Sequence, residues 1–208
     1  YRENMLYRIA PGSHNSSRFY PSEDWQSIFD KNHDLRWKLF ALKAPGYKGS
    51  KSGESWNDGP QIAYVRADWL SNTQSLTHPL LLLMKAEAEA RTGADGEALA
   101  DLNLLRKFRY SNGDVALTGL AGDALLEEIL KERRREQPLV SIQRTLDLKR
   151  YTFDTGKPWA KATVTHKCGS KTYTKSVTDA YYQSLPIDNA ILEYNPQWGI
   201  SSNNAIYE

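Results

Sequence analysis

Apolar residues recur at helical spacing through the middle of the chain and predict a first long helix between Leu76 and Arg91. Gly93 follows as a stop signal, because glycine readily takes the left-handed conformation that ends many helices. The apolar face of this helix comprises Pro79, Leu82, Leu83, Ala86 and Ala90. A face of this kind needs a partner surface, so neighbouring helices are expected to cover it.

Two further helices are predicted by the same pattern. Asp95 is the expected N-cap of the second helix. The third begins near Asp123 and must weaken at Pro138, which lacks a backbone donor. The expected buried positions are Ala98, Leu102 and Leu105, followed by Leu125 or Leu126, Ile129 and Leu130.

The helix–turn–helix from Leu76 to Arg109 has about 34 residues, the length of one tetratricopeptide-type unit. A helical repeat cannot bury its apolar face alone, and at least three units are usually needed. Only one such unit is evident in this sequence. We therefore expect the chain to belong to a longer protein whose other helices lie upstream.

The segments on either side of the helical centre are shorter. Residues 1–10 alternate weakly and predict a strand, and "PSEDWQSIFD" predicts a helix capped by Ser22. "DLRWKLFALK" is either helical or extended, "APGYKGSKSGESWNDGP" is expected to be a long loop, and "QIAYVRADWL" has strand-like residues. Near the C-terminus, "KATVTHKCGSKTYTKSV" alternates β-branched and polar residues about Cys168-Gly169-Ser170 and predicts a β-hairpin.

The charge balance argues against a nucleic-acid binder. Lys and Arg number 27 and Asp and Glu 25, so the net charge is only +2. The most basic stretch, "EEILKERRRE", contains four glutamates that cancel much of its charge. No stretch of apolar residues is long enough to span a membrane, and the single cysteine excludes an intrachain disulfide.

The arginine run instead predicts structural ion pairs. The apolar face of the third helix continues through Arg133 and Arg134, so some arginines must lie against protein and need acceptors. Glu87 on the first helix and Asp147 are the expected partners, and Asp101 is a further candidate. These pairs would lock the third helix to its neighbours.

Catalytic and metal-binding patterns are weak. His166 and Cys168 lie two residues apart, but a zinc site needs about four ligands and no second pair is near in sequence. No nucleophile-elbow or phosphate-loop motif appears. We therefore predict no metal, no cofactor and no enzymatic activity, with a carbohydrate-active enzyme as the least favoured alternative.

The aromatic residues indicate a different kind of site. The chain has 6 Trp and 12 Tyr against 5 Phe, many of them among Gly, Ser, Asn and Pro. Sugar rings stack their C–H faces on indole and phenol rings, and their hydroxyl groups need polar side chains beside them. Trp56, Asn57 and Asp58, with Tyr47 nine residues before Trp56, offer this combination and are the predicted ligand-binding residues.

Several segments taken together resemble the SusD/RagB family. They are "PSEDWQSIFDKNHDLRWKLF", "LLLMKAEAEARTG", "EALADLNLLRKFR", "EEILKERRRE", "LDLKRY" and "LPIDNAILEYNP", in the order and spacing of that family. The resemblance runs from Tyr1 to about Pro196 and corresponds to the C-terminal half of such a protein. It implies a glycan-binding lipoprotein on the bacterial outer membrane, whose anchor is not in this chain.

The resulting prediction is a mainly α protein with a tetratricopeptide-like helical hairpin, a third helix, loop-rich segments and a small C-terminal β-hairpin. It is expected to be a single SusD-like C-terminal domain, with a ligand-side segment 1–75, a helical segment 76–136 and a tail 137–208. The implied partners are an oligosaccharide, a SusC-like TonB-dependent transporter and the missing N-terminal half. The alternative is a scaffold that docks the transporter and binds little glycan, or a peptide.

Overall fold

The computed structural model describes residues 21–44, 48–51, 54–57, 61–64, 76–111, 116–137, 141–168, 171–177 and 189–199. The strand predicted in residues 1–10 lies outside this part of the chain. The chain divides into two compact units, Tyr1–Arg144 and Thr145–Glu208. The prediction of a single domain stays a prediction.

The first unit opens with two short helices, α1 (Glu23–Ser27) and α2 (Leu35–Phe40). The predicted cap at Ser22 is confirmed: its hydroxyl accepts a hydrogen bond from the backbone N–H of Trp25, at 3.2 Å. Asp34 caps α2 in the same way and accepts from the backbone N–H of Arg36, at 2.9 Å. Each cap satisfies a backbone donor that has no partner inside the helix.

Four short strands follow: β1 (Ala41–Ala44), β2 (Lys48–Lys51), β3 (Glu54–Asn57) and β4 (Gln61–Tyr64). β2 pairs with β3 and β1 with β4, both antiparallel. The long loop predicted across this segment is therefore wrong, because it contains two paired strands. The residues of β2 and β3 are mostly polar or Gly, so no apolar alternation marks them in the sequence.

Three long helices form the centre of the first unit: α3 (His78–Arg91), α4 (Asp95–Arg106) and α5 (Gly122–Glu136). Their facing sides bury the predicted apolar residues of α4 and α5, and both Leu125 and Leu126 are buried. On α3, Leu80 is buried and Leu82 is only half-buried. The prediction of a mainly α fold is confirmed.

The capping role predicted for Asp95 is wrong. Ala94 occupies the cap position without a side-chain hydrogen bond, and Asp95 is the first residue of α4. Its carboxylate instead accepts from the backbone N–H of Gly122, at 2.9 Å. Asp95 thus joins the N-terminal ends of α4 and α5, where the helix dipoles favour a negative charge.

The boundary between the two units falls within α6 (Ser141–Tyr151), a helix that the apolar pattern did not predict. The second unit continues with β5 (Thr163–Cys168) and β6 (Lys171–Ser176), then α7 (Asn189–Glu193) and a 3₁₀ turn (Pro196–Trp198). β5 and β6 pair antiparallel, which confirms the predicted C-terminal hairpin. Among the described residues, no helix has both the length and the apolar character needed to cross a bilayer.

Candidate functional site

The predicted ligand-binding residues fall on and beside the β2–β3 hairpin. Trp56 and Asn57 are the last two residues of β3, so they lie in a strand and not in a loop. Trp56 pairs with Gly49 and Asn57 with Lys48. Tyr47 and Asp58 directly adjoin these strand ends in sequence but lie outside the described residues.

This pairing places the sequence neighbours of Tyr47 and Asp58 opposite each other at the level of the backbone. Tyr47 precedes Lys48 and Asp58 follows Asn57, and Lys48 and Asn57 are register partners. The ends of a two-stranded antiparallel pair are about 5 Å apart. Of the four positions singled out from the sequence, only Trp56 and Asn57 lie in the described residues, next to each other at the end of β3.

The helix and strand that precede the hairpin in the sequence are α2 and β1, and α2 is well packed. β1 follows α2 without an intervening residue, and the backbone N–H of Ala41 donates to the carbonyl of Trp37. Trp37 lies against two aromatic rings of α1 and the turn after it, with ring centroids 6.0 Å from Trp25 and 5.6 Å from Phe29. β1 thus begins directly after a cluster of packed aromatic rings.

A second constellation, the arginine–carboxylate cluster, connects α2, α4 and α5. Its members are Asp34, Arg36, Arg106, Arg109, Glu128, Glu132, Arg135 and Glu136. Four positive and four negative side chains balance one another. Charge-assisted hydrogen bonds of this kind are stronger than neutral ones and fix geometry when they are buried.

Arg36 holds one side of the cluster. Its Nε and Nη2 donate to the two carboxylate oxygens of Asp34, each at 2.9 Å. Its Nη2 also lies 2.7 Å from a carboxylate oxygen of Glu132, and its Nη1 donates to Glu136 at 2.6 Å. Glu136 in turn accepts from Arg109 at 2.8 Å. One guanidinium therefore ties the start of α2 to the last turn of α5.

Glu132 holds the centre. Its side chain has no exposed surface, and its Oε2 accepts from Arg135 at 2.6 Å and from Arg106 at 3.1 Å. The Arg106 guanidinium also lies 4.3 Å from the ring centroid of Tyr110 and donates to its hydroxyl at 3.0 Å. Arg135 also links α5 to the turn after α1, because its Nε donates to the carbonyl of Ile28 at 2.7 Å.

The cluster controls the ionisation of its members. Burial alone would raise the pKa of Glu132, but the guanidinium groups of Arg36, Arg135 and Arg106 outweigh it and hold the pKa below the usual glutamate value. Burial, reinforced by Glu132, raises the pKa of Tyr110 above that of an ordinary phenol. Around neutral pH, Glu132 is therefore ionised and Tyr110 is a neutral donor.

The residues predicted to form structural ion pairs all have partners, and the pairing of Arg133 and Arg134 with Glu87 and Asp147 stays a prediction. Arg134 reaches back to α1 and donates to Asp24 at 2.6 Å. Glu87 accepts from Arg91 of its own helix at 2.9 Å, and Asp147 accepts from Arg150 of its own helix at 3.1 Å. Arg133 is buried. Asp101, the further candidate, is bound by Lys85 of α3.

The central residues of the cluster were not predicted. Glu132 continues the buried face of Leu125 and Ile129 at helical spacing, so the periodicity marked its position. The negative charge of Glu132 argued against a buried position, because an acidic residue is almost never fully buried unless it is paired. Arg36 belongs to an Asp-x-Arg sequence, but nothing local indicates that its partners lie about a hundred residues away.

A cavity of about 390 Å³ lies beside the cluster, within the first unit. Its walls come from the end of α1 and the turn after it, the last turn of α4, the segment before α5, and α5 itself. The residues that line it are Ser27, Ile28, Phe29, Asp30, Arg106, Tyr110, Ala116, Leu117, Glu128 and Arg135. Neither its position nor its lining was predicted from the sequence.

Metal chemistry finds no support in the described part of the chain. Within it, no group of three or more His, Cys, Asp and Glu side chains is arranged to hold a metal ion. The carboxylates of the cluster are each neutralised by arginine instead.

The comparisons with known proteins give one match. The family model described as the SusD family matches residues 81–203, which is more than half of the chain. The matched range runs from α3 through α5, the C-terminal hairpin and the 3₁₀ turn. No curated protein and no solved structure matches the chain.

Proposed function

Since the chain belongs to the SusD family, we propose that it is a non-catalytic surface protein that binds oligosaccharides and delivers them to a TonB-dependent transporter in the outer membrane. The observation that carries this proposal is the family match over residues 81–203. The lack of a metal cluster among the described side chains is compatible with a binding role.

We place the glycan contact at the end of the β2–β3 hairpin, at Tyr47, Trp56, Asn57 and Asp58. Trp56 and Asn57 end β3, and Tyr47 and Asp58 adjoin the paired residues Lys48 and Asn57 in the sequence. Indole and phenol rings take the C–H faces of sugars, and the amide and carboxylate take their hydroxyl groups. The residue paired with Trp56 is Gly49, which brings no side chain to that position.

The base of the hairpin supports this assignment. Binding groups work best when a rigid scaffold holds them, because ordering on binding then costs little free energy. β1 continues directly from α2, and Arg36 of α2 is held by Asp34, Glu132 and Glu136. The arginine–carboxylate cluster therefore anchors α2, from which β1 continues.

Isothermal titration calorimetry on the chain with a panel of oligosaccharides tests the proposal. For a bound glycan, Trp56→Ala is expected to weaken affinity at least about ten-fold, since aromatic anchors dominate such interfaces. Trp198→Ala is the matched control, because Trp198 is a half-exposed tryptophan of the second unit. Equal binding by wild type and Trp56→Ala removes the hairpin from the site, and no binding across the panel contradicts a glycan ligand.

A separate assay tests whether the chain hydrolyses oligosaccharides. Incubation of the same oligosaccharides with the chain is expected to leave their length unchanged over hours. Sustained release of reducing ends above a heat-denatured sample would contradict the non-catalytic assignment.

A second function, docking of a partner protein with little glycan binding, is favoured by one surface of the first unit. A groove of about 690 Å³ runs along the outer side of α3 and α4. Leu81, Leu104 and Phe108 line it and are 41%, 52% and 63% exposed. Apolar surface grouped in this way is typical of protein–protein contacts.

Co-purification separates the two functions. A SusC-like TonB-dependent transporter is offered to wild type and to Phe108→Ser, and glycan affinity is measured in parallel. Capture of the transporter by wild type but not by Phe108→Ser, with no glycan affinity in either, supports docking as the main function. Glycan affinity that is equal in both variants supports the first proposal.

A further inference from the structure

We propose that the cavity beside the arginine–carboxylate cluster binds one neutral, hydroxyl-rich ring such as a monosaccharide unit. It is distinct from the predicted contact at the β2–β3 hairpin. The inference rests on the proposed function only for the choice of sugars as probes. Its evidence is the size of the cavity, its charge balance, its hydrogen-bonding groups and its rigid apolar wall.

The size fits one ring with its hydroxyl groups. Small-molecule sites usually have volumes of roughly 300–1,000 Å³, and this cavity, of about 390 Å³, lies at the small end of that range. It opens to solvent past Ser27, Asp30 and Ala116, which are all exposed. A ligand can therefore enter without unfolding the helices.

The charge balance selects a neutral ligand. Arg106 and Arg135 contribute two positive charges to the walls, and Asp30 and Glu128 contribute two negative ones. Each guanidinium is held by carboxylates at 2.6–3.1 Å. An anion would have to compete with these carboxylates and a cation with the arginines, whereas a hydroxyl group competes with neither.

The spacing of the polar groups suits hydroxyls that both donate and accept. Arg106 Nη1 and Glu128 Oε1 are 3.7 Å apart, beyond the length of a good direct hydrogen bond. A ligand hydroxyl beside them can accept from the guanidinium and donate to the carboxylate. The Tyr110 hydroxyl accepts from Arg106 at 3.0 Å, and a hydroxyl group that accepts in this way can also donate its proton to a ligand oxygen.

The apolar wall is held in place. Phe29 is buried and packs on Trp25, with ring centroids 4.5 Å apart. On another wall, Leu117 is fixed by Asn103, whose amide accepts from the Leu117 N–H at 2.8 Å and donates to its carbonyl at 2.9 Å. Phe29, Tyr110 and Leu117 thus offer fixed surfaces for the C–H face of a ring.

Titration of the uniformly labelled 208-residue chain with D-glucose, D-galactose, D-mannose and D-xylose, followed by amide NMR, tests the proposal. The expected result is saturable shifts at Ala116, Leu117 and Glu128 with at least one sugar. Glu128→Gln is expected to weaken that binding about ten-fold, because a hydrogen bond to a charged group is lost. Ala116→Trp, which fills the opening without touching the cluster, is expected to abolish it.

The matched controls are Glu127→Gln, on the adjacent solvent-facing position of α5, and Trp56→Ala at the hairpin. Both are expected to keep the wild-type shifts at the cavity. Shifts that survive Ala116→Trp, or saturable binding of sodium sulfate in preference to every sugar, would overturn the proposal. Cavity shifts together with an unchanged affinity in Trp56→Ala would refute the hairpin contact alone, and affinity that depends on Trp56 without cavity shifts would refute this proposal alone.

Discussion

Replacing Glu132 by glutamine is expected to be among the most destabilising conservative changes in the chain. The substitution keeps the side-chain shape but removes the negative charge that faces Arg36, Arg106 and Arg135 at 2.7, 3.1 and 2.6 Å. Breaking a fully buried ion pair from one side costs roughly 3–5 kcal/mol, since the remaining charges are left buried without compensation. Glutamine can still accept from a guanidinium, so we expect about 3 kcal/mol.

Urea unfolding followed by far-UV circular dichroism measures this loss. For a chain of this length, about 3 kcal/mol corresponds to a fall in Tm of roughly 6–12 °C. Glu127→Gln is the control: Glu127 pairs with Lys131 at 2.8 Å, but both side chains are about one-third exposed, so the loss should stay below about 1 kcal/mol. Equal stability of the two variants would refute a stabilising role for the buried cluster.

Glu132→Gln is also expected to change how the free energy of unfolding depends on pH in the acid range. The pKa of Glu132 is held below its usual value in the folded chain by the surrounding guanidinium groups, although burial acts in the opposite direction. Its contribution is therefore complete above the unfolded value of about 4.3 and is lost as the pH falls through the lower folded value. Glu132→Gln should flatten the fall in stability between neutral pH and acid, and an unchanged slope would contradict this reasoning.

Two other predictions concern the helical core and Tyr110. Leu83 has no exposed surface, so Leu83→Ala should lower the free energy of unfolding in urea by about 2–5 kcal/mol. Leu81 is exposed, so Leu81→Ala should lower it by less than about 1 kcal/mol. Equal decreases for the two variants would contradict the packing of α3 by the face that carries Leu83. Burial raises the pKa of Tyr110, so an ultraviolet titration of the phenolates should show one tyrosine that ionises at higher pH than the others. This step should disappear in Tyr110→Phe. It should persist in Tyr173→Phe, because Tyr173 is exposed.

The helical centre could be predicted because packing there follows a simple period. Ala98, Leu102 and Leu105 of α4 are all buried at the expected positions. The same argument located the buried face of α5, and the alternation around Cys168 located the C-terminal hairpin. In each case, one apolar or β-branched stripe carries the information, and it is local in the sequence.

The rest of the fold depends on polar groups whose partners are distant. β2 and β3 carry no apolar stripe, so the backbone pairing of Lys48 with Asn57 could not be anticipated. Arg36 and Glu132 resemble ordinary surface charges until the fold brings them together. The position of Trp56 in a paired strand was likewise hidden, although the residue types around it indicated the chemistry of the predicted site.

The arginine–carboxylate cluster also sets an order for folding during synthesis. Arg36 leaves the ribosome about a hundred residues before Glu136, and until α5 is made its guanidinium has only Asp34 among its three acidic partners. Long-range contacts of this kind form late, because the intervening chain must first be brought together. The first unit can therefore complete its polar core only after residue 136 has emerged, and nascent chains that stall before that point expose uncompensated arginines to chaperones and proteases.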